Sequence, residues 1–591
     1  GSLYGSAELT NDADVSEFGG EARSGNDEVR TGTGDDAIAG DALVFDTSMG
    51  GDATANNTSA AAAGEYGLGV AMAGNDLLVS DKGDTDSDFG NDTVSGDAAA
   101  GPGGSLGSEG DATANNSASV VGAEGDSWAS VALAGNDVII GGGEYGGEGE
   151  LVAGDALSGG DDATAYANND ATVTDSGNTY VNAAIAGSDL IVTGDADDIV
   201  SGGSLATGDG ATADTDNDAG ATVDGGLGLD IAVSGGDIID AGEGDNLVAG
   251  DALATGDYGS IPTATADNTA TTVYHSVDGG EGAAITSAGD DGIGLPFGGL
   301  LGLGTSWPYG EYLSEPDYGH QLAHVAVGLG ADYGDAFGTL GFVSYVADML
   351  INGSDGNDTI SGDALASGDY GVATTTNRAT TEATVDGGEG SATSSAGNDA
   401  IDGGEGENLL AGDALTSGDY GGDATVSNYG TVVGEGAGDM DSYPLAWAEA
   451  GSDFILGGED NDTISGGALA AGVAAAALAT NVASSTGSLA ADAKLDMISG
   501  AGNDTILADG GEGYYGDNDI VAGDALATGE DGTATASNSA SVNVTTEEDA
   551  NGSYFWADAG NDVIDGGEGG NILAGDAATT DDDGGDATAN N

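Results

Sequence analysis

The run Ala559-Gly560-Asn561-Asp562-Val563-Ile564-Asp565-Gly566-Gly567-Glu568-Gly569-Gly570-Asn571-Ile572-Leu573-Ala574-Gly575-Asp576-Ala577 decides how this chain is read. Residues 396–414 repeat it almost residue for residue, and residues 234–252 repeat it closely. Its apolar pairs, Val563-Ile564 and Ile572-Leu573, sit between glycine-rich turns and are too short for helices, so they predict strands of two to four residues. One such copy cannot bury a face by itself, whereas stacked copies can.

The chain holds ten such copies. A first series is the Asp of a Gly-Asn-Asp-like triplet: Asp27, Asp76, Asp137, Asp189, Asp237, Asp291, Asp399, Asp453, Asp504 and Asp562. Apart from one gap of 108 residues, its intervals run from 48 to 61. A second series follows, usually nine residues later: Asp36, Asp92, Glu150, Asp198, Asn246, Asp358, Asn408, Asp462, Asp519 and Asn571. A third is the Asp of Gly-Asp-Ala, at Asp41, Asp97, Asp155, Asp251, Asp363, Asp413, Asp524 and Asp576, with Gly203 and Gly467 in its place in two copies. A fourth is the Asn of Ala-Thr-Ala-x-Asn or a near variant: Asn57, Asn116, Asn268, Asn377, Asn428, Asn481, Asn538 and Asn591.

The stretch from Thr533 to Val544 alternates in a β-like way with small residues on both faces. Ala470 to Ala479 has a helix-like composition but occupies the Ala-Thr-Ala slot of its repeat, which favours strand or coil. The expected fold is all-β: a parallel β-solenoid, or β-helix, of about ten stacked repeats with a non-repeat insertion. One wide coil per repeat, with strands about 4.8 Å apart, would make a stack roughly 50 Å tall. A narrower coil of two or three turns per repeat would make a longer rod, and either handedness is open.

The domain boundaries follow from the gap. Residues 1–291 hold repeats 1 to 5 and the first part of repeat 6, residues 292–352 the insertion, and residues 353–591 the rest. The insertion carries Trp307, three Phe, three Pro, His320 and His324, and reads as a lateral docking arm or a capped loop. Its uncharged run, 292–310, has two prolines and many glycines, against the roughly 20 apolar residues of a membrane span. His320 and His324 lack the Glu of a zinc-protease helix, so no metal site is expected there. The first and last residues look like complementary halves of one coil, as expected of a piece of a longer array or of subunits that complete each other head to tail.

Composition narrows the function. Five Lys and Arg face 104 Asp and Glu, a formal charge of −99, which excludes nucleic-acid binding by phosphate neutralisation and attachment to anionic membranes. Without Cys there are no disulfides and no thiolate zinc sites. Collagen is excluded by six prolines and no Gly-X-Y period. Such charge would suggest disorder, but 39% of residues are hydrophobic and recur in fixed frames. Stacked in register, each Asp series becomes a carboxylate ladder that repels itself unless cations bridge its rungs. All-oxygen ligands favour calcium over transition metals.

The run Gly566 to Ala574, with Gly403 to Ala411 and the looser Gly353 to Ser361, resembles the glycine-rich nonapeptide of the repeats-in-toxin, or hemolysin-type, calcium-binding proteins. The resemblance covers about 18 residues of each repeat. It implies multiple Ca²⁺ ions held by Asp side chains and backbone carbonyls, with Asp562, Asp399 and their equivalents as ligands. It also implies that Ile564, Leu573, Ile401 and Leu410 point into the core.

The Asn series suggests either an amide ladder, each Asn bonding its copies above and below, or turn residues in a left-handed conformation. The run Asp581-Asp582-Asp583 reads as turn caps. Trp128, Trp447 and Trp556 read as packing or lateral-contact residues, and Asn57-Thr58-Ser59 and Asn551-Gly552-Ser553 as candidate glycosylation acceptors. No nucleophile, base and orienting group occur together, so no enzyme is expected. The function expected is that of a secreted, cell-surface structural protein. Calcium stabilises it, and it assembles with itself, and with other surface or matrix components, into a filament, matrix fibre or surface layer. The alternatives are the extender region of a calcium-dependent adhesin and an ice- or mineral-binding repeat protein.

Overall fold

The computed structural model describes residues 7–15, 21–30, 37–44, 52–63, 68–79, 93–100, 111–122, 127–140, 150–160, 162–175, 179–193, 196–224, 229–256, 261–275, 282–289, 351–353, 356–386, 390–404, 406–418, 420–437, 445–458, 460–489, 496–508, 519–528, 531–546, 555–565, 572–580 and 586–591. Within them each repeat supplies five strands. In the first these are β1 (Ala7–Val15), β2 (Glu21–Ser24), β3 (Glu28–Arg30), β4 (Ala37–Ala39) and β5 (Ala42–Val44). Every strand pairs in parallel with its equivalents in the repeats before and after, giving five sheets, sheet 1 to sheet 5 after the strands that begin them. Sheet 1 has eleven strands, ending with Asp586–Asn590, and the other four have ten each. The chain is therefore an all-β parallel solenoid. One repeat makes one wide coil with five walls, and the narrower geometry is set aside.

The repeat dictates this shape directly. The apolar pairs after Gly-Asn-Asp and before Gly-Asp-Ala form the short strands of sheets 3 and 4. Their inward residues, among them Leu78, Ile139, Val152, Ile191, Ile401 and Leu410, are fully buried in one continuous cluster. Ile564 is only partly buried there, and Leu573, on the edge strand of sheet 4, is 47% exposed. Sheets 1 and 5 meet through alanine, as in Ala55, Ala114, Ala156 and Ala165, which lets the walls approach closely. The inner strands of sheet 1 alternate buried and more exposed residues, as the sequence alternation predicts, while the described residues of its last strand, Asp586–Asn590, are exposed throughout. The Ala-rich segment is strand on either side of a short turn, Ala468–Ala471 and Ala476–Leu489, and not helix.

The insertion boundary moves by two residues. Ile351 and Asn352 belong to sheet 3, pairing with Ile401 and Asp402 of the next coil, because the first apolar pair of the sixth repeat lies after the insertion. Residues 292–350, with His320, His324 and Trp307, lie outside the described residues, as do Asn551 and Asp581 to Asp583. Trp447, Ile498 and Trp556 share one register column of sheet 2, with Trp447 and Trp556 39% and 63% exposed.

Candidate metal centre

Two turns bring the acids together. Gly-Asn-Asp joins sheet 2 to sheet 3, and Gly-Asp-Ala joins sheet 4 to sheet 5. Because only two three-residue strands separate them, the coil folds back and places the first and third Asp series side by side inside the solenoid. Four groups of three carboxylates result, each with one oxygen per residue within 4.8 Å of the others: Asp41, Asp76 and Asp97; Asp97, Asp137 and Asp155; Asp363, Asp399 and Asp413; Asp504, Asp524 and Asp562. At an effective dielectric of about 20, two unit charges at that separation repel by roughly 3.5 kcal/mol. Three ionised groups would thus store about 10 kcal/mol, comparable to the whole stability of a domain. That repulsion has to be relieved, by bound protons or by a cation.

The hydrogen bonds show where. The backbone N–H of Asp137 donates to Oδ1 of Asp189 at 2.6 Å, that of Asp189 to Asp237 at 2.6 Å, and that of Asp453 to Asp504 at 2.9 Å. One carboxylate oxygen per coil is used in this way. The other, Oδ2 of Asp76, Asp137, Asp189, Asp504 and Asp562, is buried with no donor. It lies against the Gly of Gly-Asp-Ala: a Cβ on Gly40, Gly96, Gly154, Gly466 or Gly523 would collide with both that Oδ2 and the carbonyl oxygen of the following coil's glycine. Glycine is required here to leave room for this oxygen pair, and a buried Oδ2 with no donor set against a carbonyl oxygen fits a cation.

Burial accordingly pushes Asp76, Asp97, Asp137, Asp189, Asp504 and Asp524 well above the usual carboxylate range, with neighbouring carboxylates adding to the rise. Asp155 and Asp251 are raised by burial to about 7 and about 6, held back by the amides of Asn169 and Asn268. Five Lys and Arg in the whole chain are too few to neutralise columns of this length.

The fourth series closes the site. Asn57 donates from Nδ2 to Oδ1 of Asn116 at 3.0 Å, Asn116 to Asn169 at 2.9 Å, Asn169 to Asn217 at 2.9 Å, and so on to Asn538. The same Nδ2 groups donate to the third Asp series, as Asn116 does to Asp97 at 2.7 Å and Asn428 to Asp413 at 2.9 Å. The amide ladder is the correct alternative. The turn glycine supplies the left-handed conformation instead, with φ between 53° and 62° at Gly74, Gly135, Gly235 and Gly560.

Three ladder members escape the Ala-Thr-Ala pattern: Asn11, Asn169 and Asn217, preceded by Leu9-Thr10, Ala167-Asn168 and Thr215-Asp216. Their outward neighbours vary, but each keeps an Ala four residues earlier (Ala7, Ala165, Ala213), buried at Ala165 and Ala213, which was the signal to follow. Asn57 is 1% exposed in this ladder, so it is not a glycosylation acceptor.

The second series stands apart, in the turn between sheets 3 and 4. There Asn246 donates to the carbonyls of Gly242 and Gly244 at 3.1 and 3.2 Å, and Asn408 to Gly457 at 3.0 Å. Asp358 and Asp462 put an oxygen where these amides put a donor, and it is buried without one. Burial raises them to about 7 and about 8. Glu150, Asp198 and Asp519 are buried in the same column. Asp27 is exposed, Asp41, Asp562 and Asp576 are partly buried, and Asn591 is exposed. Asp36, Asp92, Asp291 and Asn571 lie outside the described residues.

The donor set, carboxylates and backbone carbonyls with no sulfur or imidazole, could hold a hard cation. Coils 4 and 8, where Gly203 and Gly467 replace the third Asp, complete no group of three with that turn. No family model matches the chain, and no curated protein matches it.

Proposed function

We propose that the chain is a calcium-stabilised structural protein of the extracellular space, whose copies join head to tail into a filament, matrix fibre or surface layer. The buried Oδ2 oxygens without donors, repeated from Asp76 to Asp562, carry the reading. Such a column is suited to a setting where calcium is abundant, since extracellular modules work at about 10⁻⁴–10⁻³ M. Head-to-tail growth is supported by the coil register, which is the same at the first step, Ala42↔Ala98, as at the last, Ala525↔Ala577. The outward column of Trp447, Ile498 and Trp556 offers an apolar lateral contact. The test is electron microscopy and far-UV dichroism of the purified protein, with calcium and in excess EDTA at pH 8. Ordered filaments that disperse, with loss of β signal, are expected on chelation. Unchanged filaments with no bound calcium by elemental analysis would sink the proposal.

One observation favours a second reading, binding to an ordered lattice such as ice or a mineral. Thr54, Thr113, Thr265, Thr374, Thr425 and Thr535 occupy one register column on sheet 1, interrupted by Tyr166, Asp214 and Leu478, so that hydroxyls recur along much of that face. Thermal hysteresis and crystal-nucleation assays separate this from a purely structural role.

A further inference from the structure

Sheet 2 contains a buried register column that reads Gly69, Ser130, Asn182, Asp230, Ala284, Ala392, Ala446 and Met497 from coil 2 to coil 9. Small or apolar residues fill it everywhere except in coils 3, 4 and 5, where Ser130, Asn182 and Asp230 are each 0% exposed. Asp175, at the end of the fourth strand of sheet 1 and 1% exposed, faces this column, and Ser130 Oγ donates to its Oδ2 at 3.3 Å. None of the four belongs to a repeated series.

We propose that Ser130, Asp175, Asn182 and Asp230 form a single divalent-cation site, distinct from the repeated carboxylate columns and of the oxygen-ligating calcium class. The hydrogen bonding points to it. Asn182 donates its Nδ2 to Oδ1 of Asp230 at 2.8 Å. That leaves Asn182 Oδ1 and Asp230 Oδ2, both fully buried, with no donor. Two acceptors in adjacent rungs of one column cannot satisfy each other, and burying them unmet is costly. Two carboxylates balance the charge of one divalent ion, while the amide and hydroxyl oxygens extend the ligand set without adding charge. Burial first raises Asp230 to about 7, against the lowering effect of the Asn182 amide, and the nearby Asp175 charge adds to the rise. A bound cation removes that conflict. The site joins three consecutive coils across the corner between sheets 1 and 2, far along the coil from the Gly-Asp-Ala turn.

Asp230→Ala is the informative variant, because Ala284, Ala392 and Ala446 show that the column accepts alanine. Crystals of both proteins soaked in Mn²⁺, an anomalous scatterer of the same oxygen-ligating class, are expected to show a peak bounded by Asp175, Asn182 and Asp230 in the wild type only, with peaks at the repeated columns in both. Peaks in the columns and none here would overturn this site alone. A peak here with empty columns would keep it and remove the repeated one. In solution, D230A is expected to melt higher than wild type in EDTA and to gain less on addition of Ca²⁺. An equal gain in the two proteins would mean that a proton holds Asp230, and would overturn the proposal.

Discussion

Asn428 shows what one rung of the ladder does. It is fully buried, donates to Asp413 at 2.9 Å and Asn481 at 3.2 Å, and accepts from Asn377 at 3.2 Å. Replacing it by alanine takes the donor from Asn481 Oδ1 and the shorter of two donors from Asp413 Oδ1, and leaves a void in the ladder. With about 1–3 kcal/mol for each buried group left unmet, Asn428→Ala is expected to cost roughly 2–4 kcal/mol in denaturant unfolding. A loss within 0.5 kcal/mol, as at an exposed site, would mean that water replaces the ladder. Asp137→Asn should act with the opposite sign in the absence of metal. Its amide can donate where Asp137 Oδ2 now has no donor, so the chelated variant is expected to melt above wild type and to bind less calcium. Single residues were legible in the sequence where the motif was strict. Asn169 and Asn217 were not, because Tyr166 and Asp214 altered the outward face that carried the pattern, while the inward face that makes the ladder was intact.

At the scale of the element, the strands could be read and their closure could not. Gly-bounded apolar pairs announced sheets 3 and 4, but nothing in the spacing said that Asp399 and Asp413, on two different turns, would share a site. That depends on how sharply two short strands fold back, a property of the whole coil. It likewise separated the second series, which the sequence had grouped with the other two. The paired columns give a pH dependence with a definite sign. Burial raises Asp155 to about 7 and Asp251 to about 6, above the roughly 3.9 of an unfolded chain. Between those values the folded state holds protons that the unfolded state has released, so stability without metal is highest below about pH 4 and falls as pH rises through 6 to 7. Melting in EDTA is therefore expected to be lower at pH 8 than at pH 5, with calcium closing the gap by replacing the protons. A metal-free protein more stable at pH 8 would show that these acids ionise more readily in the fold than in the unfolded chain, against the raised values. The gap at coil 8 offers a gain-of-function counterpart. A Cβ built on Gly467 would stand 3.7 Å from Asp413 Oδ2 and 2.8 Å from the Asp524 carbonyl, so once the next coil's backbone shifts to admit it, Gly467→Asp is expected to add one calcium to the titrated stoichiometry.

For the whole molecule, a charge of −99 looked at first like an obstacle to folding. About a quarter of the 104 acids lie in three series that repeat with the coil, so each coil carries its own acids and, on the proposed function, its share of the ions that neutralise them. If stability is a sum of such units and their interfaces, a coil can be removed without harm to the rest. The cut that tests this runs from Ala364 to Asp413. It joins Asp363 to Ala414, residues that already occupy matching positions, since Ala364 pairs with Ala414 and the Asp363 N–H donates to the Asp413 carbonyl. The Gly-Asp-Ala turn is rebuilt intact, the sheet 5 strand Ala414–Ser417 meets Ala252–Thr255 in place of Ala364–Ser367, and the Asp363, Asp399 and Asp413 group is lost. The shortened chain is expected to keep its β dichroism, to be shorter by about 4.8 Å in small-angle scattering, and to bind less calcium by one coil's share. If it fails to fold even in excess calcium, the coils are not self-sufficient units. The periodic columns would then be holding together a cooperative whole that the repeat alone does not encode.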